Sequence, residues 1–419
     1  MKSVLLKKRA AVGFAAVFLL FCFLLLCSCG IDSQSDNDTL NFENDNIGDN
    51  MNDDKNFLFS SFEIRGVWFS YLELKAAPKE SRESFSSYLE AEFEKYKALG
   101  LNTVIFQVRP FADSVYESEL FPSSSCVVKN QGEKLPFDFL SVAAECAKKS
   151  GLSLHAWINP YRILPRGGKI SSLSEKSPGK TLGEPDVVSL PEGVFFSPAS
   201  LKAQRLIISG VKEILEKYDV DGIHIDDYFY PSTAEKVDEE QYKEYRSSGG
   251  ALSRGDWRRE NVNALVRGIY CAVKESSPKK LFCISPSGDI EKNKNVHFAD
   301  VEKWGKEEGY CDVLMPQIYY GFKNKSKPFE QCAEDWRALV KSGAVKLSAG
   351  LALYKVGKED AFAGESGKNE WKNETGIISR QVAFLKTKKF DGFCLYSAQF
   401  VNFNENLLSN ELKSLESVL

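Results

Sequence analysis

Eight short apolar runs recur along the chain, each ending in polar and aromatic residues. They are IRGVWFSYL (64–72), TVIFQVRPF (103–111), SLHAWINPY (153–161), GIHIDDYFY (222–230), LFCISPSG (281–288), DVLMPQIYY (312–320), KLSAGLALY (346–354) and GFCLYSAQF (392–400). Near-continuous hydrophobicity with β-branched residues marks strands covered on both faces. Between the runs lie stretches whose apolar positions repeat at helical spacing: 84–100, 138–151, 197–220, 257–276, 329–343, 374–389 and 404–419. The first two close on a glycine, suited to a helix C-terminus, and the third opens on a Ser-Pro pair that reads as an N-cap. Residues 297–310 carry the least regular helical pattern. Eight strands alternating with helices predict a (β/α)8 TIM barrel, a single domain over residues 62–419. A doubly wound open sheet is the competing architecture, but no G-x-G-x-x-G or G-x-x-x-x-G-K-[ST] follows the first strand.

Upstream of the barrel the pattern changes twice. MKSVLLKKR followed by AAVGFAAVFLLFCFLLL has the layout of a secretory leader, a basic stretch before an apolar one. It ends in Leu26-Cys27-Ser28-Cys29-Gly30, similar to a bacterial lipobox, so residues 1–28 are expected to be a lipoprotein signal with Cys29 lipidated. An uncleaved transmembrane anchor is the other reading of so long an apolar run. Either reading puts the body outside the cytoplasmic membrane, held to the cell envelope. Residues 29–61, rich in Asn and Asp, read as a disordered tether.

The chain has 54 Lys+Arg against 58 Asp+Glu, a formal net charge of −4. With no basic block beyond the leader, nucleic acid is not an expected partner. The cysteines beyond Cys29 are scattered and odd in number, and form no CxxC. With only three histidines in all, neither a disulfide framework nor a metal site is expected, and no cofactor is implied.

In a TIM barrel the C-terminal strand ends converge on one mouth. Here those ends supply Arg109, Asn159, Tyr161, Asp226, Asp227, Tyr228, Gln317, Tyr319, Tyr320 and Tyr396, with Asp113 two residues past the second strand's run. Hydrogen-bonding side chains interleaved with rings suit a polyhydroxylated ligand with partly apolar faces. Asp226 and Asp227 are the best placed acids for catalysis, and glycoside hydrolysis needs two carboxyl groups. Alternation along the strand puts His224 and Asp226 on one face, taken as the inward one, which favours Asp226 as an ionised nucleophile or base. Arg109 is expected to clamp substrate or lower an Asp pKa. His224 either packs in the inner layer or orients Asp226. Asp221 and Asp312, which open their strands, read as structural.

RGVWFSYLEL, NTVIFQVRPFADSVYESELFP, HAWINPYR, VDGIHIDDYFYP, LMPQIYYGF and GFCLYSAQF together resemble glycosyl-hydrolase-like family 10. The resemblance covers about Phe62 to Phe400. It implies a barrel hydrolase of the bacterial envelope acting on peptidoglycan glycan strands that lack stem peptides. Asp221-Gly222 followed by Asp226 is also similar to the alpha-amylase-like motif, in which that last Asp is the nucleophile. The chitinase motif D-G-x-D-x-D-x-E is departed from, because Tyr228 stands where its acid would be. The expected function is therefore hydrolysis of a polysaccharide, with a glycan-binding barrel without catalysis and a lytic transglycosylase as alternatives.

Overall fold

The computed structural model describes residues 63–419 except 341, 342 and 344. The leader, Cys29 and the expected tether lie outside the described residues. Strands are labelled in chain order. β1 (Ile64–Phe69), β2 (Thr103–Arg109), β3 (Ser153–Ile158), β7 (Gly222–Ile225), β8 (Leu281–Ile284), β9 (Val313–Leu314), β10 (Lys346–Leu351) and β11 (Gly392–Leu395) close in that order into a parallel barrel, β11 pairing back to β1. This is the predicted (β/α)8 barrel. Each strand ends two to six residues before the apolar run that announced it, because the chain leaves the ladder where it reaches the mouth.

Seven long helices pack outside: α1 (Arg82–Ala98), α2 (Phe139–Ser150), α3 (Leu201–Lys217), α4 (Arg254–Ser276), α5 (Phe329–Leu339), α6 (Ile377–Thr387) and α7 (Asn406–Glu416). In the irregular 297–310 stretch the helical residues are Val301–Trp304 and His297, which ends a π-helical turn (Asn293–His297). The expected Ser-Pro cap of α3 is corrected: Ser200, three residues on, accepts the Ala203 N–H. None of the described helices is long and apolar enough to cross a membrane.

The lower rim is stitched by acids and amides at strand entries. Asn102, Asp221, Asp312 and Asp391 each accept, through a side-chain oxygen, a backbone N–H of a neighbouring strand, from Arg65, Leu154, Phe282 and Leu347 respectively, at 2.7–2.8 Å. These satisfied groups hold register far from the mouth, which accounts for Asp221 and Asp312 being structural. Inside the ring, Ile64, Trp68, Ile105, Trp157, Cys283, Val313, Met315 and Cys394 form a packed inner core. Gly350 makes room for it, since a Cβ there would lie 2.9 Å from the Trp68 indole.

The connection after β3 contains a feature that sequence reading did not show. β4 (Arg162–Pro165), β5 (Val187–Leu190) and β6 (Gly193–Phe196) form a small antiparallel sheet, ordered β4-β6-β5. It fixes Arg162 opposite Phe195 just beyond the barrel rim.

Candidate active site

β7 sets the floor of the mouth. Its alternation turns His224 and Asp226 inward, as expected. His224 Nε2 accepts from Trp68 Nε1 at 3.2 Å and lies 2.8 Å from Ser285 Oγ, and the ring meets Trp68 and Trp157 edge-on. The ring is fully buried, which drives its pKa well below the usual histidine range, so it is neutral. His224 is therefore a member of the inner layer beneath the site, and its expected place among the substrate contacts is corrected on that ground.

Asp226 sits one layer higher, 4% exposed. Trp157 Nε1 donates to Oδ2 at 3.2 Å and the Tyr228 backbone N–H donates to Oδ1 at 3.3 Å. Burial, then the Asp227 charge, push the carboxyl up to about 8, against the pull of Arg162 and the two donors. At neutral pH it holds its proton. This changes the expected role, because a protonated carboxyl is a donor and not an ionised nucleophile. Asp227, past the end of the ladder, is half-buried, and no hydrogen bond from the described residues ends on its carboxylate. Its backbone carbonyl is fixed instead, accepting from Phe229 N at 3.0 Å and facing His297 Nδ1 at 2.9 Å.

One wall alternates cations and rings. Arg162 stands 4.3 Å from the Tyr228 ring centre and 4.8 Å from that of Phe111. Phe111 meets Tyr71 edge-on, and Lys75 stands 5.2 Å over Tyr71. Tyr228, 43% exposed, presents its ring to solvent. The opposing chemistry is aromatic. Tyr319, Tyr354 and Tyr396 form a mutual cluster at 5.9–6.0 Å, and Tyr396 also meets Trp68. The phenols of Tyr396 and Tyr319 are held above the usual range first by burial, and the charges of Asp226 and Asp227 respectively add to it. Gln317 donates to the Ser285 carbonyl at 2.9 Å. Asn159 accepts from Gln107 at 2.8 Å, and its Nδ2 is a buried donor without a partner.

The other expected contacts fall elsewhere. Arg109 faces out of the barrel. The β2–β3 register slips between Gln107 and Arg109, and such a bulge reverses the alternation beyond it. Its guanidinium lies 4.3 Å from the Phe121 ring, against Gly210 of α3 and beside Tyr116. Tyr161 is fully buried in the outer core, its hydroxyl unpartnered. Asp113 is enclosed in the loop after β2, bonded to Gln131 at 3.1 Å, and burial pushes it up to about 6. Tyr320 packs half-buried on the outer core beside Cys332 and Asp289. Sequence reasoning missed Arg162, Gln107 and the bond from Trp157. Arg162 closes the quoted segment HAWINPYR, and an arginine just beyond a strand end was the available signal.

A profile of the family described as Glycosyl hydrolase-like 10 matches residues 63–365. Glycosyl hydrolase YngK of Bacillus subtilis (strain 168) is 33% identical over 321 residues, 71% of this chain and 62% of that protein. The chain thus spans under two thirds of that relative's length. Glycosyl hydrolase DigH of Escherichia coli (strain K12) is 30% identical over 334 residues, covering 71% of this chain and 75% of that one. Among solved structures, the PgaB (BpsB) glycoside hydrolase domain from Bordetella bronchiseptica superposes with a TM-score of 0.58 at 13% identity, over 85% of this chain and 98% of that domain. The catalytic domain of beta-amylase from Paenibacillus polymyxa gives 0.56 at 11% identity, over 85% and 97%. These likenesses carry the barrel fold, and the sequence match carries more: the chain belongs to the Glycosyl hydrolase-like 10 family.

Proposed function

We propose that the protein is a glycoside hydrolase of the bacterial envelope whose substrate is the peptidoglycan glycan strand after removal of its stem peptides. The observation that carries this is the pair at the mouth: Asp226, buried and holding its proton, beside Asp227, half-buried and free of protein donors. Asp226 gives its proton to the glycosidic oxygen as the bond from that oxygen to the anomeric carbon breaks. Asp227 then faces the developing oxocarbenium charge and serves as nucleophile or as base for water. The rings of Tyr228, Tyr319 and Tyr396 offer faces to pyranose rings. Attachment to the membrane through a lipidated Cys29 belongs to the same reading and is tested by fatty-acid labelling of the protein and its Cys29→Ala variant.

The activity test is digestion of amidase-treated sacculi, with products read by mass spectrometry. Release of saccharides with reducing ends by the wild-type protein, reduced about 100-fold or more in Asp226→Asn, supports the proposal. Anhydro ends would make it a lytic transglycosylase. Binding without release would make it a glycan-holding barrel.

A further inference from the structure

We propose that Arg162 reads the free lactyl carboxylate of a peptide-free strand and so makes the enzyme specific for stripped glycan. This inference rests on the substrate reading above. In an intact strand the stem peptide occupies the lactyl carboxyl as a neutral amide. Amidase cleavage regenerates that carboxyl, so a stripped strand carries one negative charge on every second sugar. A site that tells the two apart needs a cation with an unoccupied face beside the scissile bond.

Arg162 has that description. It is half-buried at the mouth, close enough to Asp226 to pull on its proton. It is held against Phe111 and Tyr228 at 4.8 and 4.3 Å. Among the described residues no carboxylate forms an ion pair with it, and no hydrogen bond engages its guanidinium. By contrast Arg258, in the first turns of α4, donates to Asp238, Thr233 and Ala234. Cation–ring contacts order a guanidinium while leaving its N–H edge free, and that edge matches a carboxylate in bidentate geometry. The first residue of β4 is fixed by pairing with β6, so the side chain is presented from a sheet and not from a free loop. On a chain of net negative charge, this local cation is what lets a polyanionic strand approach two aspartates.

The test compares two substrates. One is amidase-treated glycan. The other is the same glycan with its lactyl carboxyls reduced to alcohols by carbodiimide and borohydride, which removes charge without adding bulk. The wild-type full-length protein is expected to favour the charged glycan by about 10- to 100-fold in kcat/KM, the range for a charged hydrogen bond, mostly through KM. Arg162→Gln is expected to cut both substrates equally, and Arg162→Lys to keep a partial preference. Equal rates on both glycans with the wild type overturn the assignment of Arg162 and leave the substrate reading intact. A preference that survives in Arg162→Gln also overturns it. Cleavage of neither glycan by the wild type sinks the substrate reading itself, and the role of Arg162 with it. Where Arg162→Gln folds poorly, Arg162→Lys decides: a preference as large as the wild type's there overturns the assignment, because a lysine cannot reproduce the bidentate contact.

Discussion

A buried proton donor is a stability liability, and Asp226 offers a way to measure it. The perturbation is Asp226→Asn, which keeps the shape but leaves one acceptor oxygen where Trp157 Nε1 and the Tyr228 N–H each use a separate one, a cost that does not depend on pH, and which cannot ionise. The carboxyl titrates near 3.8 unfolded and about 8 folded. Between these values the native state binds a proton that the unfolded state does not. Stability from this group is therefore complete below about pH 4 and is lost as pH rises through 8. The gap of ~4 pH units at ~1.36 kcal/mol each sets a ceiling of about 5 kcal/mol, which water drawn to the carboxylate will reduce. The amide of the variant has no such dependence, so the variant gains on the wild type steadily with pH. Urea unfolding of both proteins from pH 5 to 8 is expected to show a difference growing in favour of the variant by at least about 1.5 kcal/mol. Other shifted groups, such as Asp113 and His155, are common to both proteins and cancel. A difference independent of pH, or one that turns against the variant as pH rises, would refute the raised pKa and with it the proton-donor role.

Three further outcomes follow from the same contacts. Trp157→Phe removes a donor that stabilises the Asp226 carboxylate, so the alkaline limb of the kcat/KM profile should move up by roughly 0.7 pH unit, the equivalent of about 1 kcal/mol. Gly210→Ala would bring a Cβ to 2.2 Å from Arg109 and 2.6 Å from Phe121, both enclosed, so thermal unfolding should show a loss of about 1–3 kcal/mol with kcat/KM on glycan unchanged. Arg258→Ala leaves the buried Asp238 uncompensated and should lose about 3–5 kcal/mol, part of which the double variant Arg258→Met with Asp238→Leu recovers in urea titrations.

The barrel was legible because its strands are covered on both sides and must be apolar throughout, a pattern that turns cannot imitate. Parity along GIHIDDYFY correctly put His224 and Asp226 inside, since period-two alternation holds as long as the ladder does. The small sheet after β3 escaped notice because strands of four residues are too short to show a period, and the middle one, β6, is buried along its whole length. Its one local sign was the pair of apolar runs VVSL and GVFF, separated by the two residues Pro191 and Glu192. The protonation of Asp226 was not legible at all, because it depends on burial and on groups brought in from elsewhere in the chain, Trp157 of β3 and Arg162 of β4 among them.

The exchange of Arg109 for Arg162 shows where such reading breaks, and the break has one cause. Counting from Ile105, which faces the lumen, strict alternation puts Gln107 and then Arg109 inside, and the first of these is indeed there, bonded to Asn159. Beyond Gln107 the register slips by one, so Val108 and Arg109 share a single partner step against Ile158. A slip of one residue inverts every side chain that follows. Arg109 is thereby delivered to α3, where Gly210 has no side chain to keep it out and Phe121 covers it. The mouth keeps an arginine because the chain supplies another after β3, at the first residue of the inserted sheet. That the barrel buries one arginine whole while holding the second on two rings, with no hydrogen bond to its guanidinium among the described residues, is a difference that a count of strand-end charges cannot register, and it is the difference on which the proposed recognition of a charged strand rests.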